Sequence, residues 1–462
     1  MQVAIIGTGY VGLTTGVCLA WLGHEVRCLD VDASKIDSLK RGECPIYEPH
    51  LAEMMAEVRA RLSFTTSYAE AIPEASVVFV AVGTPPSPDG SPDLKYLRAA
   101  AQSAGEHLGE GFTVVVNKST VPIGSGNWVE SLIRESYTAH RGSKPDGRFA
   151  VASNPEFLRE GTALHDSLYA DRVVVGADSS RAMELLNALY RPLLEQSFSA
   201  PSYLPRPDGL QGVALVTTDL ASAELIKYAA NAFLALKISY INEIGQLAEK
   251  VGADVTLVAR GIGLDNRIGT GFLQAGLGWG GSCFGKDTSA LVSTAAEYGL
   301  AMPIVTAARE VNRRQRERVV ERLLAELKIL KGKTIGILGL AFKPDTDDLR
   351  DAPSLEIANA LLARGCKVLA HDPVAMDRAR REFQQAGIHY CEKGEDVARD
   401  ADALILVTEW QEYQRLDWEN MARQMQVSQQ HSPREKILLD GRNFLEARRM
   451  KDAGFRLLRV TG

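Results

Sequence analysis

Cysteine is scarce and scattered. There are six, Cys18, Cys28, Cys44, Cys283, Cys366 and Cys391, with no Cys-x-x-Cys pair and no Cys/His tract. That pattern argues against a disulfide framework and a metal site, and points to a reducing, cytoplasmic setting. No long hydrophobic run is present. The stretch 13–22 is apolar but short, broken by Gly16 and followed by His24 and Glu25, with no basic segment before it. It reads as neither signal peptide nor membrane span. Charge of one sign is not in large excess either. A formal net charge of −6 disfavours nucleic acid or an anionic membrane as partner. It leaves room for an anionic small molecule held by a local Lys/Arg cluster. With 45% hydrophobic and 24% charged residues, no large disordered region is expected. The 462 residues make room for about three domains.

What is present begins with a short apolar strand, Gln2–Ile6. Gly7-Thr8-Gly9-Tyr10-Val11-Gly12 follows at once, then an apolar helix, then a strand over 25–30 that ends in Asp30. The glycine spacing alone would be weak evidence. Strand, glycine turn, helix, strand and acid in this order form a dinucleotide-binding unit. Gly7 makes the tight turn, Gly9 lets a pyrophosphate approach the backbone, and Gly12 packs the helix on the strand. The helix N-terminus supplies N–H groups and partial positive charge. Asp30 is placed to accept hydrogen bonds from ribose hydroxyls and would repel a 2′-phosphate, which favours NAD over NADP. Asp32 is an understudy. Lys35 either reaches the same ribose or is an ordinary surface lysine.

Apolar strands over 76–82 and 112–117 lead into Gly83-Thr84-Pro85-Pro86 and Lys118-Ser119-Thr120-Val121-Pro122-Ile123-Gly124. Loops at the carboxyl ends of parallel strands bind ligands, so Thr84 and Thr120 are candidate contacts, with ordinary turn chemistry as the alternative. A strand starting at 151–152 ends in Ser153-Asn154-Pro155-Glu156-Phe157-Leu158-Arg159-Glu160-Gly161, and Arg172–Gly176 is another. Glu156 and Glu160 lie four apart and would face the same way on a helical turn, whether exposed or functional. The polar, Pro-rich segment 196–212 reads as a linker.

Thr217-Thr218-Asp219 is an N-cap cluster for a long helix over Leu220–Val251. Around Glu224, Lys227 and Asn231 that helix is almost wholly apolar or small. A helix apolar nearly all round is buried, against the chain's own core or a partner chain, and polar groups inside it need a reason. Downstream, Gly278-Trp279-Gly280-Gly281-Ser282-Cys283-Phe284-Gly285-Lys286-Asp287 sets a thiol between a glycine cradle and a cation. That is the setting of a nucleophile, because nearby positive charge favours the thiolate; a buried structural cysteine is the bland alternative. Helices follow over 287–300 and 304–330.

From Lys331 a second parallel α/β piece begins. Its strands fall at 335–338, 367–370, 403–407 and 436–439, with a helix over 354–364, and its first turn lacks the glycine fingerprint. Lys343 and Arg442 follow strands and suit a diphosphate, and Phe342 suits a base or sugar, a solvated surface role being the alternative. The polar stretch 424–434 reads as an exposed loop. The expected architecture is thus α/β. Two Rossmann-like doubly wound parallel-sheet domains (1–210 for NAD, 317–462 for a diphosphate-bearing ligand) are joined by a helical region, 211–316.

In this order the pieces resemble the nucleotide-sugar dehydrogenases of the UDP-glucose/GDP-mannose dehydrogenase family, over almost the whole chain. The resemblance rests on the Gly7–Gly12 turn, Ser119-Thr120-Val121-Pro122, the run from Asn154 to Gly161, Lys227 with Asn231, the run from Gly280 to Asp287, Phe342-Lys343 and Asp440-Gly441-Arg442. It implies NAD-dependent, four-electron oxidation of a sugar C6 alcohol to a carboxylate, through a thiohemiacetal and then a thioester on Cys283. UDP-glucose is the implied substrate and GDP-mannose the alternative. It also implies a homodimer through the long helix. Lys227 and Asn231 would stabilise negative charge at C6, and Asp287, Glu156 and Thr120 would handle water and protons. Tyr10, Val11, Glu160, Lys286 and Arg350 map onto NAD contacts. Phe157, Leu158, Arg159, Gly280 and Arg267 map onto substrate contacts, Arg267 from across the dimer. Phe272, Leu273, Gln274, Ala275 and Gly276 map onto a loop covering the nucleotide sugar. Gly285 departs from the family, which often has Pro or Gln there. From other classes, a two-electron hydroxyacid-type dehydrogenase would share the first domain and the Lys/Asn helix but need no thiol; a non-catalytic NAD sensor would need none of the polar set.

Overall fold

The computed structural model describes residues 1–85, 87, 90–425 and 436–460. Pro86 and nearly all of the expected loop at 424–434 lie outside them. The chain divides into two compact units, Met1–Ala230 with Ser289–Gly299, and Asn231–Thr288 with Leu300–Gly462. Among the described residues no helix is long and apolar enough to cross a membrane.

The first unit is built on eight strands: β1 (Gln2–Ile6), β2 (Glu25–Leu29), β3 (Leu62–Thr65), β4 (Val77–Val80), β5 (Thr113–Asn117), β6 (Phe149–Ser153), β7 (Arg172–Gly176) and β8 (Ala214–Thr218). They lie in the order β3-β2-β1-β4-β5-β6-β7-β8. All neighbours are parallel except β6 and β7, which meet antiparallel at Ser153 and Gly176. Successive residues of the central strands enter different cores. Val3, Ile5, Val77 and Phe79 join one cluster, while Ala4, Ile6, Val78 and Val80 join another. Both faces are covered, which is why these strands read as continuous apolar runs rather than alternating ones.

The second unit carries β9 (Thr334–Leu338), β10 (Lys367–His371), β11 (Ile388–Tyr390), β12 (Ala403–Leu406), β13 (Lys436–Asp440) and β14 (Phe455–Arg459). Their order is β11-β10-β9-β12-β13-β14, parallel throughout. This repeats the order of the first six strands of the other unit, the doubly wound pattern whose ligand crevice opens where the order reverses. One feature separates the turns: after β1 a helix starts at once, at Tyr10, whereas after β9 none starts until Pro353. The acid just beyond the second strand turns inward in both. Asp30 takes the N–H of Thr8, and Asp372 Oδ2 accepts from the N–H of Leu340 at 2.7 Å, from the N–H of Ala341 at 3.0 Å and from Trp410 Nε1 at 3.1 Å.

Two local expectations need correction. Thr217 and Thr218 end strand β8 instead of capping the long helix; Asp219 alone caps it, accepting from the N–H of Ser222 at 2.8 Å. The 196–212 segment is packed onto the first unit. Gln196 Nε2 donates to the Leu168 carbonyl and Trp21 Nε1 to the Ser199 carbonyl, each at 2.9 Å, and Tyr169 donates to the Leu204 carbonyl at 2.7 Å.

Candidate active site

In the first unit, β1 is brought to a halt by Gly7. Its φ is +99°, and a Cβ there would lie 2.5 Å from the Ala81 carbonyl oxygen. A Cβ on Gly12 would lie 1.9 Å from the Gly7 carbonyl oxygen, whereas nothing lies within 4 Å of one on Gly9. Two of the three glycines are therefore demanded by packing and the third faces open space. The helix Tyr10–Trp21 starts at Gly9 with no side-chain cap and no acidic residue in its first turn, so its first N–H groups are left for an anion. Val11 follows on that first turn. Asp30 Oδ2 accepts from the N–H and Oγ1 of Thr8, both at 2.8 Å, and from Lys35 Nζ at 3.1 Å. Burial pushes its carboxyl up, but Thr8, Asp32 and Lys35 together hold it below the usual carboxylate range. It is an anion beside the turn, where a ribose diol would donate. Asp32 is spent as the cap of helix Ala33–Lys40, on the N–H groups of Ser34 and Lys35. These residues fit NAD.

The loops after β4, β5 and β6 come together. Thr84 Oγ1 donates to the Thr120 carbonyl at 2.9 Å. Glu156 is buried and lies on no helix; residues 154–159 are extended or irregular. The four-residue spacing to Glu160 therefore makes no shared helical face, because the Glu156 side chain is used locally. Its Oε2 accepts the N–H of Leu158 at 2.9 Å and its Oε1 accepts Lys227 Nζ at 2.9 Å. Phe157 lies beneath Arg172, 3.8 Å from guanidinium carbon to ring centroid. Arg159 is held by Asp166, at 2.9 and 2.7 Å. Beside Glu160, the N–H of Gly161 reaches Tyr10 Oη at 2.9 Å and Glu48 Oε2 at 2.6 Å.

Sequence reasoning did not single out Glu48 or Lys118. Nothing local marks Glu48, since its partners are more than a hundred residues away. Lys118 did carry a signal, a cation directly after a wholly buried strand. Its Nζ donates to Asn154 Oδ1 at 2.9 Å. Burial pushes it down to about 8, with Glu156 opposing and Lys227 reinforcing.

Glu224, one turn before Lys227, caps the helix Ser125–Arg141. Its carboxylate accepts the N–H of Gly124 at 2.6 Å and of Gly126 at 2.9 Å. Burial pushes its carboxyl from 4.5 up to about 7, against the pull of those two N–H groups. The folded chain thus holds this proton more tightly than the unfolded one. The stabilisation is complete below pH 4.5 and is lost as pH rises through about 7, an effect of order 3 kcal/mol at full size. Urea midpoints of wild type and Glu224→Gln, taken from pH 4.5 to 8, should therefore differ in a pH-dependent way; a constant difference excludes this.

In the second unit the thiol stands at a helix entrance. Cys283 directly precedes helix Phe284–Glu297, and its carbonyl accepts the N–H of Asp287 at 2.8 Å. Ser282 Oγ is 3.6 Å from Cys283 Sγ. Helix N-termini favour anions, a thiolate among them. Asp287 is fully buried, one oxygen on Lys286 Nζ and the other on Asn231 Nδ2, each at 2.6 Å. The glycine cradle is filled by the protein itself. A Cβ on Gly280 would lie 2.3 Å from the Asp351 carbonyl oxygen, and one on Gly281 would lie 2.7 Å from the Phe342 ring.

Arg442 is anchored on backbone. Its Nε donates to the Val407 carbonyl at 2.8 Å, and its two terminal nitrogens donate to Gly278 at 3.2 Å and Phe342 at 3.1 Å. Lys343 Nζ lies 5.9 Å from the Phe342 ring centroid. Arg350 is paired with Asp348 at 2.7 Å. Arg267 is paired with Asp265, its side chain 89% exposed. In the 272–276 loop Phe272 has φ +63°; Leu273 and Ala275 are buried against Ile241, and Gln274 is exposed. Gly276 is held by Asn242. Among the described residues no cluster of His, Cys, Asp and Glu could hold a metal.

Known proteins match the chain over almost its whole length. Three models of the UDP-glucose/GDP-mannose dehydrogenase family match in order: the NAD binding domain over residues 1–194, the central domain over 221–314 and the UDP binding domain over 336–447. The chain is 43% identical to UDP-glucose 6-dehydrogenase TuaD of Bacillus subtilis, covering 98% of this chain and 92% of that protein. It is 43% identical to the UDP-glucose 6-dehydrogenase of Rhizobium meliloti, covering 99% and 98%. The solved structure of a UDP-glucose dehydrogenase from Pyrobaculum islandicum superposes with a TM-score of 0.87 at 38% identity, over 99% of this chain and 97% of that one. The chain belongs to the UDP-glucose/GDP-mannose dehydrogenase family.

Proposed function

We propose that this chain oxidises UDP-glucose at C6 to UDP-glucuronate in two steps on one thiol. The observation that carries the reading is Cys283 at the head of its helix, with Asp287 one turn on, gripped by Asn231 and Lys286. A two-electron alcohol dehydrogenase has no use for that thiol. NAD, held by the Gly7–Gly12 turn, Asp30 and Lys35, supplies the chemistry of accepting a hydride, once per oxidation. The rest falls to the chain. Lys227 and Asn231 donate to the C6 oxygen as negative charge grows on it. Cys283 adds as thiolate to the aldehyde carbon, and its thiohemiacetal is oxidised to the thioester. Water then cleaves the C–S bond, leaving acid and free thiol, with Glu156, Asp287 and Thr120 placing the water and taking its proton. The balance is one alcohol, two NAD and one water to one carboxylic acid, two NADH and two protons.

Lys343 and Arg442 bind the diphosphate, and Phe342 sits beside the nucleoside. Phe157, Leu158, Arg159, Arg267, Gly280 and the 272–276 loop complete the sugar contacts. Tyr10, Val11, Thr84, Glu160, Lys286 and Arg350 serve NAD. A count of NADH formed per sugar consumed, over a panel of UDP- and GDP-sugars, tests the reading: two per UDP-glucose is expected, and one would sink it.

The same reading includes a homodimer. Leu225, Phe233, Tyr240, Leu247 and Val251 of the long helix are 44 to 68% exposed and recur every four to eight residues, an apolar stripe that calls for a cover. Sedimentation at the mass of a single chain would remove it. A reducing cytosol, where six cysteines stay out of disulfides, is the compartment implied.

A further inference from the structure

One face of the helix Pro303–Leu327 is devoted to holding the glycine loop that precedes Cys283. Ala308, Asn312, Gln315 and Arg316 follow one another at helical spacing. Asn312 Oδ1 accepts the N–H of Trp279 at 2.8 Å, and Asn312 Nδ2 donates to the Trp279 carbonyl at 2.9 Å. Arg316 donates to the same carbonyl at 2.7 Å. Gln315 Nε2 donates to the Gly276 carbonyl at 2.8 Å. The indole of Trp279 is tied in turn: its Nε1 donates to Ser239 Oγ at 3.1 Å, and Ser239 Oγ donates to the Ala308 carbonyl at 2.7 Å.

Asn312 is buried, and its amide is matched group for group to the backbone N–H and C=O of one residue, Trp279. The orientation is fixed by chemistry, since a peptide N–H can meet only the amide oxygen. Gly278 makes the approach possible. Its φ is +92°, and a Cβ there would lie 2.2 Å from Asn312 Oδ1. Beyond Trp279, the indole meets the Phe284 ring edge-on at 6.1 Å between centroids. Trp279 therefore touches the residue just after the cysteine and leads by a short glycine-rich backbone into the residue just before it.

We propose that Asn312 is a positioning residue for the Cys283 thiol: by clamping the backbone N–H and C=O of Trp279 it holds Sγ where it captures the aldehyde between the two oxidations. This rests on the covalent reading above. Gln315 braces the loop at Gly276 and Arg316 shares the Trp279 carbonyl, while Asn312 takes both backbone groups of Trp279. Loosening it leaves the first oxidation standing and lets the aldehyde escape before the thiol reaches it.

The test compares wild type with Asn312→Ala, and with Asn312→Asp, which keeps the acceptor and loses the donor. Each turns over UDP-glucose in the presence of a hydrazine that traps free aldehyde, and Cys283 alkylation by iodoacetamide is followed by peptide mass. Wild type should give two NADH per sugar and no trapped aldehyde. Asn312→Ala should lose about 10- to 100-fold in kcat for acid formation, with KM for the sugar within about threefold. Most of its product should be trapped as aldehyde, and its alkylation rate should change. Asn312→Asp should fall between. A general loss of structure would lower the rate without raising the aldehyde fraction, and that result overturns the proposal, as does an alanine variant with wild-type kcat. Should the alanine variant fail to fold, Ser239→Ala, which removes only the indole anchor, should show a smaller rise in trapped aldehyde; no rise counts against the proposal. Wild type yielding one NADH per sugar would instead sink the covalent reading itself.

Discussion

Cys283→Ala is expected to make no acid, with a loss on the order of 10⁴-fold or more in four-electron turnover, the scale seen when a covalent nucleophile is removed. NAD affinity should be unchanged, because Cys283 is far in sequence from the glycine turn and from Asp30 that define the dinucleotide site. The variant keeps the helix entrance, since the Asp287 N–H bonds to the residue-283 carbonyl and not to its side chain. It also keeps Asp287 between Lys286 and Asn231. A folding defect is thus not expected to mimic the chemical one. Mass analysis of protein quenched during turnover should find a sugar adduct on wild type and none on the variant. Acid formation at near wild-type rate by the alanine variant would refute the thiol mechanism.

Lys227→Met should fail twice, for separable reasons. Lys227 and Glu156 form an ion pair at 2.9 Å with side chains only 4 and 7% exposed. Removing the cation strands a buried carboxylate, which costs about 3–5 kcal/mol of stability. Removing a charged donor to the developing oxyanion costs about 10²- to 10³-fold in kcat. The double variant Lys227→Met with Glu156→Gln separates the two: it should recover most of the stability, measured by urea unfolding, and none of the activity. A single variant as stable as wild type would show that the pair is not as buried as it stands here. A double variant with restored turnover would remove Lys227 from the chemistry.

Most of the fold was legible because most strands are covered on both faces and read as apolar runs. The four strands that sequence reasoning passed over, β3, β8, β11 and β14, are the four edges of the two sheets. Edge strands have one partner and a wet side, so their residues are mixed; β8 is mostly exposed or half-exposed along its length, and no period betrays it. In the site, residues carried by turns of distinctive composition were legible: Gly7 to Gly12, Asp30, the Cys283 run. Glu156 was found as a residue, but its spacing to Glu160 left the local backbone open, because spacing alone does not reveal that a carboxylate will take its own turn's N–H. Glu48, Asn312 and Arg316 were invisible for a different reason. Their partners are tertiary, and a polar residue on a helix or in a loop looks solvated until its burial is known.

The late helix explains why a repeated strand order does not mean a repeated ligand. Asp372 stands where Asp30 stands in the first sheet, and both take an N–H of their opening turn. Behind the second turn, however, no helix begins until Pro353, so the amide-rich helix end that welcomes a pyrophosphate after β1 has no counterpart after β9. NAD titrated by equilibrium dialysis should therefore saturate at one per chain, leaving the second sheet uncontested at high cofactor levels.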